Sequence, residues 1–335
     1  MFLFEPIFPD CASLHWPLQS PNEGRSHFET DIIGNVRDYG AMAEPTLLVT
    51  GAGGRLGRLV VESLLENQAG KVVATTREPQ RLTDLAARGV DVRYADFDQP
   101  ESLLSAFAGV DRLLLVSTNQ IDRPGLRLAQ HRTAVGAAKA AGVGHIAFTS
   151  VPAPQPFPEA ALIDDYFWTE VAIFESGLDW TILRNNLYTE TVLQTLAYSL
   201  ATGEMPTAAG RGSRSWVSRA DCARTAAAVL AGASGRQILD VTGPETLTSA
   251  EFVAVAAQVT GRVLQPVAVS VNDYRRHLLA AGLAPMVADA LVDYEVATAR
   301  GYTGVVSPAV KAWTGRTPAD VRSVLTEHRS MLLAA

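Results

Sequence analysis

Three glycines spaced three residues apart, Gly51, Gly54 and Gly57, stand between an apolar run and an amphipathic run in TLLVTGAGGRLGRLVVESLL (46–65). In a turn of this kind the first glycine allows a tight bend, the second lets the main chain approach a pyrophosphate, and the third lets the helix pack closely on the strand. The phosphates then lie on the unpaired N–H groups at the helix N-terminus. The motif predicts a dinucleotide site, and a turn whose glycines serve packing alone is the alternative.

Two arginines after the second apolar run bear on which dinucleotide is bound. In ATTREPQRL, Arg77 stands twenty positions after Gly57, and Arg81 follows one helical turn later. A site for NAD usually has Asp or Glu here, where the carboxylate holds the ribose 2′-OH. An arginine instead suits a 2′-phosphate through charge-assisted, bidentate hydrogen bonds. We expect NADP(H) to be preferred over NAD(H), although Glu78 is adjacent and two solvated surface arginines are the alternative.

The tyrosines and lysines exclude a common proton relay. Many reductases of this general fold use a Tyr-x-x-x-Lys pair, in which the lysine helps the tyrosine to transfer a proton. None of the eight tyrosines has a lysine four positions on; Tyr166 is followed there by Glu170 and Tyr188 by Val192. An alcohol dehydrogenase or a sugar epimerase, which must move a hydroxyl proton, is therefore disfavoured. The chemistry that remains is hydride transfer to an acceptor that needs little proton assistance, such as a quinone or a cationic dye.

Apolar strands and amphipathic helices alternate from residue 46 onward. The predicted strands cover residues 46–50, 71–75, 90–95, 112–117, 145–150 and 180–183. The predicted helices between them cover residues 57–66, 79–88, 100–108, 125–141 and 165–176. Near-continuous apolar strands separated by helices are typical of βαβ units and of a parallel sheet covered on both faces. We therefore predict an α/β fold, a Rossmann-type doubly wound parallel sheet with a smaller helix-rich C-terminal substrate region.

The chain divides into three predicted parts. Residues 1–41 are rich in breakers and lack a sustained period, so we expect a disordered or non-native extension before Met42, with a packed arm as the alternative. Residues 42–185 form the NAD(P)-binding Rossmann domain. Residues 186–335 form the substrate-binding region, partly interleaved with that core. The elements predicted in this region are a strand at 263–269 and helices at 246–261, 271–281, 284–299 and 317–328. In the first of these helices Thr248 or Ser249 is the expected N-cap, with Glu251 in a capping box.

Composition excludes several classes of protein. The net charge is −7 with no basic block, which disfavours nucleic acid and anionic membrane as partners. No apolar run reaches the roughly 18 residues of a membrane span. The two cysteines, Cys11 and Cys222, form no motif with each other or with a histidine, so we expect no disulfide, no metal site and a cytoplasmic location. We expect a monomer or a homodimer.

Several stretches together resemble one known family. They are VTGAGGRLG (49–57), ADFDQPESLLSAFAGVDRLLLVST (95–118), QHRTAVGAAKAAGVGHIAFTS (130–150), TILRNNLYTE (181–190) and WTGRTPADV (313–321). These residues are similar to those of the NmrA-like, atypical short-chain dehydrogenase/reductase family. Within it the chain is most similar to type 2 NAD(P)H:quinone oxidoreductases and triphenylmethane reductases. The quinone reductases carry a lysine where TEVAIF has Val171, a pattern closer to the triphenylmethane reductases.

The resemblance implies a function and a set of site residues. It implies an NADPH-dependent oxidoreductase that transfers a hydride to a quinone-like or dye-like aromatic acceptor, whereas a non-catalytic NAD(P)-binding redox sensor is the alternative. Five residues are assigned to the pyrophosphate: Gly51, Gly54, Arg55, Leu56 and Gly57. Arg77 and Arg81 are assigned to the 2′-phosphate. Asp96 and Phe97 would flank the adenine, with a helix cap as the alternative for Asp96.

The ends of later strands supply the remaining candidates. Ligands bind at the carboxyl ends of parallel strands, so cofactor contacts are expected at Ser117, Thr118, Thr149, Ser150 and Val151. Asn185, Asn186 and Tyr188 follow the sixth strand and are expected to position the acceptor, unless they form only a turn. The proline-rich stretch 151–160 forms either a stiff loop over the nicotinamide or a simple connector. Phe157, Phe167 and Trp168 stack on a flat acceptor or belong to the core, and His131 is expected to be structural.

Overall fold

The computed structural model describes residues 44–156 and 161–334, and its main sheet is the frame of the molecule. The strands are β1 (Thr46–Val49), β2 (Lys71–Thr76), β3 (Asp91–Tyr94), β4 (Arg112–Leu115), β5 (His145–Ser150), β6 (Asp179–Asn185), β7 (Glu204–Thr207), β8 (Ser213–Arg214), β9 (Arg236–Val241), β10 (Leu247–Thr248) and β11 (Gln265–Ala268). Seven of them form one parallel sheet in the order β3-β2-β1-β4-β5-β6-β9. This is the strand order of a doubly wound dinucleotide-binding fold, so the predicted fold class is confirmed.

Helices cover both faces of this sheet. They are α1 (Arg55–Glu66), α2 (Thr83–Ala86), α3 (Pro100–Phe107), α4 (Leu126–Ala140), α5 (Ala161–Glu175), α6 (Leu193–Thr202), α7 (Arg219–Gly232), α8 (Ser249–Thr260), α9 (Val271–Ala280), α10 (Pro285–Ala299), α11 (Ala309–Thr314), α12 (Val321–Glu327) and α13 (Arg329–Leu333). Leu47 packs with α1 and α7, while its neighbour Leu48 packs with α3, α4 and α5 on the opposite face. Successive strand residues alternate in this way, so each strand contributes to two cores.

The seventh strand and the helix before it are absent from the sequence prediction. Strand β9 lies at the sheet edge and pairs only with β6 within the described residues. It is half-exposed, and Arg236, Gln237 and Asp240 interrupt its apolar pattern. Helix α7 was missed because its alanine-rich sequence has little amphipathic contrast. Its alanines pack against α1.

One predicted helix and one capping motif can be compared directly with the structure. The helix expected over 79–88 is instead a 3₁₀ turn, Pro79–Leu82, followed by the short helix α2. The predicted capping box is confirmed: Thr248 Oγ1 accepts from the Glu251 N–H at 3.3 Å, and Glu251 Oε2 accepts from the Thr248 N–H at 2.8 Å. The capping box was predicted correctly from residue types at fixed positions. The helix over 79–88, predicted from a mixed pattern that begins with a proline, was not.

The residues after β6 build a second core and then return to the sheet. Helices α6, α8, α9, α10 and α12 pack around Leu196, Phe252 and Leu325, beside the two-stranded pairs β7–β11 and β8–β10. Residues 219–241 belong instead to the main sheet and its covering helix. A boundary at residue 185 and an extension over residues 1–41 stay predictions, and residues 1–41 lie outside the described residues. No helix in the described ranges combines the length and the apolar character that a membrane crossing requires.

Candidate active site at the carboxyl end of the sheet

The glycine turn joins β1 to α1 with close contacts that only glycine permits. Gly51 has a φ of 61°, in the left-handed region, and its carbonyl accepts from the Gly54 N–H at 2.9 Å. A Cβ on Gly57 would lie 2.5 Å from the same Gly51 oxygen. Gly54 caps α1 without a side-chain hydrogen bond, and the first turn holds no acidic residue. The N–H groups of that turn are therefore open to an anion, as a bound pyrophosphate requires.

A cleft of about 520 Å³ opens above this turn. Eleven of the residues predicted to bind the cofactor line it: Gly51, Gly54, Arg55, Leu56, Gly57, Arg77, Arg81, Asp96, Phe97, Ser117 and Thr118. Asn119, Gln120 and Gln130 also line it and were missed, since nothing in their spacing distinguishes them. Two buried atoms of the wall, Thr118 Oγ1 and Gln130 Oε1, have no hydrogen-bond partner. Buried polar atoms are almost always paired, so the cleft suits a polar ligand such as a dinucleotide.

The two arginines differ in how free they are to bind a phosphate. Arg77 is exposed and has no side-chain partner among the described residues. Arg81 donates from Nη1 to Glu78 Oε2 at 2.9 Å, and three-quarters of its side chain is exposed. An exposed pair of this kind is weak, so Arg81 can exchange Glu78 for a phosphate at little cost. The structure places both beside the cleft, and their role stays a prediction.

Asp96 shapes the loop that enters α3. Its Oδ1 accepts from the Asp98 N–H at 3.1 Å, and its Oδ2 accepts from the Gln99 side-chain amide at 3.5 Å. The Asp96 N–H donates to Ser102 Oγ at 2.9 Å. The carboxylate thus organises the turn before the helix, but the N-cap of α3 is Gln99, so the alternative of a helix cap does not hold for Asp96. Asp96 also lines the cleft, and Phe97 beside it packs partly on the core of α3 and α4.

A second cavity, of about 280 Å³, adjoins the cleft and shares Leu56, Val116 and Ser117 with it. We call it the acceptor cavity. Thr149, Ser150 and Val151, predicted as cofactor contacts, line this cavity, and so do Asn185, Asn186 and Tyr188. Tyr166 on α5 and Val287, Leu291 and Tyr294 on α10 also line it. Sequence reasoning missed the contribution of α10, because it depends on how the second core folds back over the sheet edge.

Asn185 and Tyr188 form a hydrogen-bonded pair in this cavity. The Asn185 amide donates to Tyr188 Oη at 3.2 Å, while Asn185 Oδ1 is buried without a partner. Burial raises the pKa of Tyr188 well above its usual value, so the phenol stays protonated near neutral pH. Asn186 is committed elsewhere: its amide donates to Ser215 Oγ at 2.7 Å and to the Thr303 carbonyl at 2.8 Å. Of the two asparagines, Asn185 alone has an unused polar atom.

Ser150 belongs to a buried charge network that the sequence did not reveal. Its Oγ donates to Glu170 Oε1 at 2.6 Å, and Arg184 donates to both carboxylate oxygens, at 3.1 and 2.7 Å. Glu170 is only 2% exposed, so this bidentate pair joins α5 firmly to β6. Because the hydroxyl proton of Ser150 is used here, Ser150 can offer a ligand only acceptor atoms and its backbone.

His131 supports the end of β4 from α4. Its Nε2 accepts from the Thr118 N–H at 3.0 Å, so the ring proton is on Nδ1, which donates to Thr169 Oγ1 at 2.9 Å. Burial, aided by the charge of Arg127, holds the pKa of His131 well below its usual value. The imidazole is therefore neutral and fixes the loop that carries Thr118.

The aromatic candidates on α5 lie apart from the acceptor cavity. Phe167 and Trp168 contact each other edge to face at 5.1 Å, Trp168 is exposed, and neither lines the cavity. Phe157 and the end of the proline-rich stretch lie outside the described residues. Stacking of Phe167 or Trp168 on an acceptor therefore has no geometric support.

Comparison with known proteins identifies the family. Residues 51–233 match a family model described as NAD(P)H-binding. Quinone oxidoreductase 2 of Escherichia coli is 36% identical over 258 residues, which cover 76% of this chain and 88% of that protein. A structure of an NADPH-dependent quinone oxidoreductase from E. coli in complex with NADPH is 33% identical, covers 85% of this chain and 99% of that chain, and superposes with a TM-score of 0.77. The Citrobacter triphenylmethane reductase in complex with NADP(H) is 31% identical, with 84% and 99% coverage and a TM-score of 0.76.

These matches agree with the geometry of the site. The uncapped helix N-terminus, the glycine turn and the cleft with unpaired polar atoms are features of a dinucleotide site, and they fall within the matched residues. The chain belongs to the NmrA-like family of atypical short-chain dehydrogenases/reductases and is an NAD(P)H-dependent oxidoreductase.

Proposed function

We propose that this protein reduces a flat aromatic acceptor, a quinone or a dye, by direct hydride transfer from NADPH. The observation that carries the proposal is the contact between the two cavities, whose common wall is Leu56, Val116 and Ser117. A nicotinamide at that wall would face an acceptor among Tyr166, Tyr188 and Tyr294. The names of the relatives, a quinone oxidoreductase and a triphenylmethane reductase, support the same acceptor class.

The absence of a lysine at either cavity supports transfer without a tyrosine–lysine relay. The chain has three lysines, Lys71, Lys139 and Lys311, and none lines the cleft or the acceptor cavity. When bound, NADPH supplies the hydride. The protein then has to hold the two rings in contact and exclude water, and positioning of this kind can supply much of a rate enhancement. Asn185 and the protonated Tyr188 would orient the acceptor through hydrogen bonds.

The preference for NADPH over NADH is the second part of the proposal. Arg77 lies at the mouth of the cleft, exposed and without a side-chain partner among the described residues. A 2′-phosphate there would gain a charge-assisted contact that the 2′-OH of NADH cannot offer. Glu78 and Arg81 would separate as the phosphate binds. Action in the cytoplasm stays a prediction.

The decisive experiment is steady-state reduction of menadione and of malachite green with NADPH, followed by NADPH absorbance. Turnover of either acceptor supports the enzyme, while binding of NADPH with turnover of no acceptor would favour a redox sensor. The pH profile of kcat should be nearly flat from about pH 6 to 8, since no group titrating there takes part. Tyr188→Phe should lower kcat by less than about tenfold, because its proton does not move. A steep profile together with a ~10³-fold loss would restore acid–base chemistry at Tyr188.

A further inference from the structure

Arg127 on α4 is buried beside the acceptor cavity although it carries a charge. Only 1% of the residue is exposed, and its guanidinium carbon lies 4.0 Å from the centroid of the Tyr166 ring. Its Nε and Nη1 have no hydrogen-bond partner, and none of the ion pairs among the described residues includes it. An unpaired buried charge is costly to a fold. A function that uses the charge would explain why this position carries arginine.

The positive charge reaches the wall of the acceptor cavity. Burial raises the pKa of Tyr294, a wall residue, and the Arg127 charge opposes that rise. Burial likewise raises the pKa of Asp165 on α5, and the charge of Arg127 opposes that rise too. Tyr188 is neutral because burial raises its pKa, and His131 is neutral because burial lowers its pKa. The guanidinium of Arg127 lies against the Tyr166 ring, and its positive charge favours a ligand that becomes negative.

A chain of hydroxyl groups ends at Tyr166. The Ser117 N–H donates to Thr149 Oγ1 at 2.9 Å, and Thr149 Oγ1 donates to Ser117 Oγ at 3.3 Å. The Ser117 hydroxyl can then donate its own proton to Tyr166 Oη, which lies 3.2 Å away. In this arrangement Tyr166 accepts from the protein and keeps its own proton for a partner in the cavity that it lines. Each donor in such a chain strengthens the next.

We infer that Tyr166 donates a hydrogen bond to the acceptor oxygen that becomes negative as the hydride arrives, with Arg127 as the positioning residue behind the ring. The inference rests on the proposed reductase function. Transfer of the hydride moves two electrons to a quinone, leaves NADP⁺ and produces a hydroquinone monoanion, to which water then supplies one proton. Tyr166 keeps its own proton throughout. A donor set in place before the charge develops stabilises the anion without reorganisation.

The same arrangement discriminates between the two acceptor classes. A quinone begins neutral and ends as an oxyanion, so it gains from the Tyr166 proton and from the Arg127 charge. A triphenylmethane cation begins positive and ends neutral, so it gains nothing from either group and is repelled by the guanidinium. Tyr166 and Arg127 therefore make this a site for carbonyl acceptors in preference to cationic dyes.

Turnover of the two acceptor classes by variants of the full chain tests the inference. Tyr166→Phe should lower kcat/KM for menadione by about 100-fold, the usual effect of removing one oxyanion donor, and change kcat/KM for malachite green less than about threefold. Arg127→Met should lower the menadione value by about tenfold and leave or raise the dye value. Arg127→Lys, which keeps the charge, should restore most of the menadione activity.

A binding measurement without NADPH provides a second readout. The probe is 2-hydroxy-1,4-naphthoquinone, an anion at neutral pH, titrated by tryptophan fluorescence. Tyr166→Phe should weaken its binding by about tenfold, which corresponds to one charge-assisted hydrogen bond of about 1.5 kcal/mol. Neutral 1,4-naphthoquinone should bind the variant and the unaltered chain alike. Matched controls are Tyr198→Phe, at an exposed tyrosine of α6, and Arg132→Met, at an exposed arginine of α4.

The outcomes separate this inference from the proposed function. Equal losses for menadione and malachite green, or equal losses for the anionic and neutral naphthoquinones, would mean that Tyr166 only supports the fold and would overturn the inference. If the unaltered chain reduces neither acceptor, the proposed function fails, and the fluorescence titration alone then decides whether Tyr166 binds an oxyanion.

Discussion

Replacement of Gly57 by alanine should damage cofactor binding and stability together. A Cβ at this position would lie 2.5 Å from the Gly51 carbonyl oxygen, 2.8 Å from its carbon and 3.0 Å from Ala52 Cα. All three neighbours are backbone atoms of the glycine turn, so no side chain can rotate away. Ordinary contact begins at 3.4 Å, and the N-terminus of α1 must therefore move by about 0.9 Å away from the turn.

That displacement sets the expected magnitudes. A hydrogen bond of about 2.9 Å between the first N–H groups of α1 and a phosphate would lengthen to about 3.8 Å, beyond hydrogen-bond range. Loss of one charge-assisted bond of about 1.5–3 kcal/mol raises the Kd for NADPH by about 10–100-fold. Strain in a packed backbone contact costs about 1–3 kcal/mol, which lowers Tm by about 2–6 °C in a domain of this size.

Gly136 in α4 provides the matched control. It is exposed in the middle of the helix, it does not have a positive φ, and a Cβ there would meet nothing within 4 Å. Gly136→Ala should leave the Kd for NADPH unchanged and raise Tm by about 1–3 °C, because alanine favours a helix by about 1 kcal/mol over glycine. Binding is measured by calorimetric titration and Tm by circular dichroism.

Two results would refute the reasoning about Gly57. If Gly57→Ala binds NADPH within twofold of the unaltered chain, the position of α1 does not control the phosphate site. If it also melts within about 1 °C, the close contact between helix and turn carries no strain. Loss of stability with unchanged binding would limit the role of Gly57 to packing.

Three further predictions concern charged groups. Arg77→Ala should raise the KM for NADPH by about 10–100-fold, the cost of a charge-assisted contact, and should leave the KM for NADH little changed. Equal effects on both KM values would show that Arg77 does not bind the 2′-phosphate. Burial, with a smaller effect of Arg112, lowers the pKa of His145 from 6.5 to about 4. The contribution of this residue to the unfolding free energy is therefore fully present above pH 6.5 and is lost as the pH falls toward 4. The unfolding free energy should lose about 2 kcal/mol between pH 7 and 5 through this residue, and His145→Gln should remove that part of the slope in urea titrations. Arg127→Met should raise Tm by a few degrees while activity falls, because replacing buried charged groups by apolar side chains can stabilise a fold by about 1–4 kcal/mol. A lower Tm would mean that Arg127 stabilises the fold through Tyr166 or Asp165.

The cofactor half of the site could be predicted because its signals are local. The three glycines and Arg77 each follow directly from residue types at fixed offsets from a strand, and the cleft brings them together as expected. Strand β9 could not be recognised, because an edge strand with one neighbour tolerates polar residues that disguise its period. The same limitation applies to the role of α10 in the cavity wall, which depends on contacts between residues far apart in the chain.

The sequence around Arg127 contains a pattern that indicates a functional site. Arg127, Gln130, His131 and Ala134 share one face of α4, at offsets of three, four and seven residues, and all four are buried. Polar residues at the spacing of a buried face are unusual in a helix that covers a sheet. Three such residues together indicate a helix whose inner face meets a functional site. Their partners, Tyr166, Asp98 and Thr118, come from other elements, and no spacing in the sequence pairs them.

The return of residues 219–241 to the main sheet has a consequence for how this protein is made. Strand β9 and helix α7 complete the cofactor domain, yet the segment 186–218, which carries Asn186 and Tyr188, is synthesised before them. A ribosome must therefore release the chain beyond Val241 before the sheet can close, so the N-terminal half cannot finish folding ahead of the rest. Because that segment follows β6 and leads through α7 into β9, the strand paired with β6, its loop is closed by the sheet itself. New acceptor specificities can then arise by changes within the loop, while the strands that bind the dinucleotide stay the same.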